Sequence, residues 1–177
     1  MKSRVYLDCN ATAPLRAEAR AAMIAAMDVV GNPSSVHGEG RAAKAVVERA
    51  RAQVAAALGA EGADVIFTAS ASEAAALGCG GRGFAGALIE HDAVGAWVSG
   101  DLPVDEFGRV AVDEPERAVL QLANPETGIV QEVAQGLGLC DMTQAFGKLP
   151  VAFNWLGCEM AVISSHKLGG PKGVGAL

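Results

Sequence analysis

The chain has 177 residues, enough for one domain with a sizeable core. Twenty acidic against fourteen basic side chains leave a formal charge of −6, so neither a nucleic acid nor an anionic membrane has electrostatic support as a partner. Hydrophobic residues at 51% and charged ones at 19% exclude intrinsic disorder, and Gly, Pro, Asn or Gln breaks every apolar stretch before membrane-spanning length. The start, MKSRVYLDCN, has no apolar h-region and carries Asp8 where a signal peptide is apolar, so the expectation is a cytoplasmic protein. Cys9, Cys79, Cys140 and Cys158 are far apart with no CxxC pair, which predicts neither a zinc site nor a disulfide framework.

In chain order, Thr12 and Pro14 predict the start of a helix running from Pro14 to about Val30, ended by Gly31-Asn32-Pro33. A second helix is expected from about Gly40 to Leu58, with Ala43, Val46, Val47, Ala50, Val54 and Leu58 at helical spacing and Gly59 as its stop. From Asp64 the pattern changes. DVIFTAS reads as a buried strand leading into ASEAAALG, a helix. ALIEH (Ala87 to His91), AVLQLAN (Ala118 to Asn124), GLCD (Gly138 to Asp141) and MAVISSHK (Met160 to Lys167) share one form, a brief apolar run ending in a polar residue. Strands alternating with helices predict an α/β fold, a mainly parallel sheet flanked by helices, with its ligand site at the carboxyl ends of the strands. Only a short segment joins the Asn124 strand to the Asp141 strand. Either the covering helix is reduced to a turn or the two strands are not neighbours.

The chemistry centres on Lys167, which follows an apolar run and precedes the glycine-rich LGGPKGVGAL. A partly desolvated lysine amine can serve as a Schiff-base nucleophile, although a lone lysine is more often a solvated loop charge. Its company changes that balance. Ser164 and His166 sit beside it, and Asp141 ends another strand 26 residues earlier. An aldehyde cofactor such as pyridoxal 5′-phosphate needs a carboxylate beside its ring nitrogen, for which Asp141 is the candidate. It needs N–H groups and hydroxyls for its phosphate, which Ser70-Ala71-Ser72 supplies at a strand-to-helix junction. His91 can stack on the ring, and Gln144 and Asn124 can hydrogen-bond its phenolic oxygen.

YLDCNATAP, GNPSSVHGEGRAAK, VIFTASASEAAALG, QLANPETG, CDMTQAFGKLP and SSHKLGGPKGVGAL, in that order, resemble the cysteine desulfurases of the class V aminotransferase group. The resemblance implies the type I fold of pyridoxal-phosphate enzymes and a homodimer. It implies conversion of L-cysteine to L-alanine, with sulfur passing as a persulfide to an acceptor protein for iron–sulfur cluster or thio-cofactor assembly. By motif position, Lys167 is the imine lysine, Asp141 the partner of the ring nitrogen, and His91 the stacking residue that also shuttles protons. Gln144 faces the phenolic oxygen; Ala71, Ser72, Ser164 and His166 hold the phosphate. Asn124 and Asn10 lie near the substrate carboxylate. Three departures stand out. Ser70 replaces the usual glycine of the phosphate loop, Pro125 removes a backbone donor from the Asn-Asn-Glu-Thr-Gly motif, and the crossover before Asp141 is short. Residues 1–13 are expected to pack with a small domain, and 14–177 to form the large cofactor domain, incomplete at its C-terminus. The mobile loop with the nucleophilic cysteine and the carboxylate-binding arginine have no match here. Another class V aminotransferase or lyase, or a catalytically silent cofactor-binding module, is the alternative.

Overall fold

The computed structural model describes residues 4–177, so the first three residues of the 1–13 segment lie outside it. Phe67–Thr68 (β1), Val119–Gln121 (β2), Leu139–Asp141 (β3), Ala161–Ser164 (β4) and Gly175–Ala176 (β5) form one sheet in the order β1-β5-β4-β3-β2. The α/β class holds. β2, β3 and β4 are mutually parallel, whereas β5 runs antiparallel to both β1 and β4.

Alternation along the parallel strands splits the core in two, because successive side chains leave opposite faces. Val119, Leu139 and Val162 join Ala74, Ala75, Cys79, Phe84 and Val94 on one face. Leu120, Cys140, Ala161 and Ile163 join Leu58, Leu137, Met142 and Cys158 on the other. The same parity sends Gln121, Asp141 and Ser164, at the strand ends, to the first face. That face is covered by helix α3, Ala71–Cys79. Gly78 permits the approach, since a Cβ there would lie 2.5 Å from Leu139 Cδ1.

Helix α1 spans Ala17–Met27, shorter than expected at both ends. Its start is delayed because Ala13 N–H donates to His166 O (2.9 Å) and Arg16 N–H to Gly169 O (2.8 Å), which holds the intervening chain extended. Thr12, the expected cap, instead places its hydroxyl 3.0 Å from His166 Nδ1. Helix α2, Gly38–Leu58, matches expectation; His37 Nδ1 accepts from Gly40 N–H, and Gly59 closes it in the left-handed region at φ 61°.

ALIEH is not a strand. Ala85 and Ala87 form single parallel bridges to Ala118 and Leu102, and residues 88–90 then turn, with Leu88 86% exposed. The reason is Glu90. Its side chain folds inward, where Oε1 accepts from Gln121 N–H (3.2 Å), and the chain closes by Glu90 N–H to Ala87 O (3.1 Å). A single helical turn, α4 (Asp92–Gly95), follows.

The short crossover resolves in favour of neighbouring strands. β2 and β3 pair in register, Gln121 opposite Asp141, and no helix intervenes. The chain doubles back through an Ala123–Val130 bridge, with Asn124 Oδ1 accepting from Glu126 and Thr127 N–H (2.9 and 3.0 Å). It then returns extended.

Candidate active site

At the carboxyl ends of β2, β3 and β4 lies a cavity of about 280 Å³. It gathers side chains from five stretches of sequence: Ser70, Ala71 and Ser72 at the start of α3, His91 before α4, Gln121 on β2, Asp141 at the end of β3 with Gln144 just after it, and Ser164 at the end of β4 with His166 and Lys167 just beyond. Ser70 caps α3, its hydroxyl accepting from Glu73 N–H (3.1 Å), while Glu73 Oε2 accepts from Ala69 N–H (2.6 Å). With the cap in place, the free N–H groups of the first turn and the positive end of the helix dipole attract an anion.

Lys167 is half-buried. Its Nζ donates to the carbonyls of Asn10 (2.9 Å) and Ala11 (3.1 Å), so the N-terminal strap crosses the mouth of the cavity. Asp141 is 4% exposed. Burial pushes its carboxyl above the ordinary range, opposed by Thr143, whose N–H donates to Oδ1 at 2.8 Å, and by the nearby His91 and Lys167. His166 is lowered, first by burial and then by the charges of Lys167 and Lys172. His91 Nδ1 accepts from Ala93 N–H (3.1 Å), a cap on α4 that fixes the imidazole at the cavity wall. Gln144 Nε2 donates to Asn10 O (2.9 Å) and its Oε1 accepts from Lys148 Nζ.

Nearly every expected site residue therefore converges. Two do not line the cavity. The Asn124 side chain is occupied by its own turn and by Ile89 O (2.8 Å), leaving neighbouring Pro125 at the wall. Asn10 is exposed, its side-chain Nδ2 donating to Pro125 O (3.1 Å), and it reaches the site only through its carbonyl. Sequence reading missed Gln121 and Thr143. For Gln121 the signal was present: it stands two residues past Val119, on the face that Asp141 shares. Among the described residues no cysteine lines the cavity; Cys79, Cys140 and Cys158 are buried, and Cys9 is exposed on the strap next to Asn10. Nor does any group of three or more His, Cys, Asp or Glu among them form a metal site. No helix among them is long and apolar enough to cross a membrane.

Comparison with known proteins identifies the family. The profile of the family described as aminotransferase class-V matches residues 5–82 and 99–177; the gap between the two stretches contains Glu90 and His91. A cysteine desulfurase of Frankia sp. (strain EuIK1) is 38% identical, covering 98% of this chain and 52% of its own length. The cysteine desulfurase IscS of Dictyoglomus turgidum is 34% identical, over 100% of this chain and 54% of its own. The chain thus spans about half the length of the curated relatives it matches. The first match runs over 217 positions against 177 residues here, so at least 40 positions of that alignment have no counterpart in this chain. Among solved structures, the NifS-like protein from Rickettsia africae ESF-5 superposes with a TM-score of 0.85 at 30% identity, covering 98% of this chain and 57% of that one. A structure described as SspA in complex with cysteine gives 0.86 at 26% identity, covering 98% and 60%. With the profile matched over residues 5–82 and 99–177 and the relatives covering the chain nearly end to end, this chain belongs to the aminotransferase class-V family.

Proposed function

We propose that this chain carries the cofactor-binding part of a pyridoxal-phosphate-dependent cysteine desulfurase, acting on L-cysteine and passing its sulfur onward. The observation that carries the reading is the placement of Lys167, buried Asp141 and the start of α3 around one cavity. The residues fit the cofactor. The donor set combines an amine, a carboxylate and an anion-binding helix start. Gly175 leaves room for that helix start, since a Cβ there would lie 2.5 Å from Ser70 C. When bound, the cofactor supplies an electron sink for a carbanion next to the amino group.

The rest falls to the protein. Lys167 would supply the amine that anchors the cofactor and, when free, a base at the cavity wall. Asp141 would pair with the ring nitrogen, whose proton would give the buried carboxyl the cationic partner that favours its ionised form. Ser72, Ser164, His166 and the N–H groups at Ala71 and Ser72 would hold the phosphate, and His91 would pack against the ring. Gln144, whose oxygen is taken by Lys148 and one of whose Nε2 hydrogens is held by Asn10 O, would offer the cofactor the remaining Nε2 hydrogen. Sulfur abstraction requires a thiolate held at close range. Since no cysteine of the described residues lines the cavity, that thiol is supplied from outside this half. The homodimer, the acceptor protein and the packing of residues 1–13 on a small domain belong to the same proposal. Borohydride reduction of the full-length protein with pyridoxal 5′-phosphate, followed by peptide mass analysis, tests it. The pyridoxyl adduct is expected on Lys167; an adduct on Lys148 or Lys172 instead overturns the assignment.

A further inference from the structure

Behind the cavity wall lies a carboxyl that the reading above does not use. Glu90 is 9% exposed, and its Oε1 accepts from the backbone N–H of Gln121. Its other oxygen, Oε2, is buried with no partner among the described residues. Oε1 of the Gln121 side chain, itself 3% exposed, is in the same condition. Two unpartnered acceptors on residues already joined by a hydrogen bond are each costly alone. They become a donor and an acceptor if one proton sits on Glu90.

The surroundings favour that proton. Asp141 approaches Glu90 from β3 and Cys79 from α3, Cys140 lies on the opposite face of β3, and among the described residues no cation is paired with Glu90. His91, next in sequence, and Lys167 act on Asp141. Burial first, and the Asp141 charge in addition, push the Glu90 carboxyl up to about 8 against the hydrogen bond from Gln121. The geometry then continues to the site. Gln121 lines the cavity and is the register partner of Asp141, so the two side chains leave the same face of strands about 4.8 Å apart.

We propose that Glu90 and Gln121 form a positioning relay beneath the cavity: Glu90 donates to Gln121 Oε1, which turns the Gln121 amide N–H groups toward the Asp141 carboxylate. An N–H beside that carboxylate favours its ionised form, the form that keeps a proton on a bound pyridine nitrogen. The second half of this statement rests on the cofactor reading; the first half does not.

The test separates them. Infrared difference spectra of the cofactor-free full-length protein are expected to show a protonated carboxyl at neutral pH that is lost as pH rises through about 8 and is absent from E90Q. No such signal overturns the relay, whatever binds in the cavity. Affinity for pyridoxal 5′-phosphate supplies the second readout. E90Q keeps a donor for Gln121 Oε1 and an acceptor for Gln121 N–H, so it is expected within about twofold of the parent. E90M and Q121M break the relay and are expected to weaken binding about tenfold, as for one hydrogen bond to a charged group. If Glu90 merely fills space, E90M and E90Q bind alike, and the relay is wrong. If E90M does not fold, Q121M and the infrared titration decide. If the parent itself takes up no pyridoxal 5′-phosphate, the cofactor reading fails while the infrared result still judges the Glu90–Gln121 pair.

Discussion

Gly175→Ala is the sharpest structural test of how the cavity is built. The added Cβ would meet three backbone atoms, Ser70 C at 2.5 Å, Ser70 O at 2.8 Å and Ala71 N at 2.8 Å. Carbon contacts are comfortable from about 3.5 Å, so β5 and the start of α3 must part by about 1 Å. No side chain can rotate away. β5 is hydrogen-bonded on both sides, to β1 and β4, and Ser70 is tied by its own cap and by Thr68 Oγ1, which donates to Ser70 O (2.8 Å). Overpacking of this kind costs about 1–3 kcal/mol, and with backbone on both sides the upper end is expected. The displacement also moves Ser70–Ser72 away from Ser164 and Lys167, so affinity for pyridoxal 5′-phosphate is expected to fall about tenfold or more, as a misplaced donor set implies. Urea unfolding of the full-length protein followed by circular dichroism reads the first effect, and cofactor titration by absorbance reads the second. Gly38→Ala is the control: it meets nothing within 4 Å and should change stability by less than about 0.5 kcal/mol. A Gly175→Ala protein with an unchanged urea midpoint and unchanged affinity would refute the close-approach argument.

Other expectations follow from the same geometry. Asp141→Ala should leave cofactor content largely intact but lower turnover by several orders of magnitude, about 1.4 kcal/mol of barrier per tenfold; steady-state kinetics with near-parental turnover would exclude the assigned ring-nitrogen contact. Glu90 holds in the folded state a proton that the unfolded chain releases above its ordinary 4.5, so stability is lost as pH rises from there to about 8. E90Q removes that slope, up to about 1.4 kcal/mol per pH unit, and should gain on the parent in urea midpoints at alkaline pH but not near pH 4.5. Thiol titration should modify exposed Cys9 in the native protein; Cys79, buried and pushed up to about 11, should react only on unfolding. His91→Ala removes the cap of α4 and should cost about 1 kcal/mol as well as opening the cavity wall, measured by thermal unfolding and cofactor affinity.

Much of the site was legible because strand ends have a chemical signature. Asp141 and Ser164 each close a run of apolar residues, and α3 announces itself by Ser70 and Glu73. What the pattern could not show was where a side chain turns. Ala87 to His91 has the composition of a strand, yet the inward fold of Glu90 ends the sheet bonding at Ala87. Asn124 sits in a motif suggestive of a ligand contact, but its amide is the hub of the turn that replaces a crossover helix. Thr12 has the look of a helix cap, whereas the long-range bond to His166 decides its role. Gln121 was hidden for the opposite reason: a polar residue inside an apolar run carries no boundary signal, and only strand parity places it beside Asp141.

Helix α1 has one further consequence. It buries no side chain, carries no side-chain cap at Arg16, and has 11 residues, too few to be stable as an isolated helix. Its entry is tied by Arg16 N–H on Gly169 O. In this chain its amides should therefore exchange with solvent in a gradient, slowest near Arg20 and fastest toward Met27, through openings that leave the sheet intact. The segment from Ala25 to Gly31 is then the first place a protease cuts, and such a nick leaves the strap from Asn10 to Arg16 bound over Lys167.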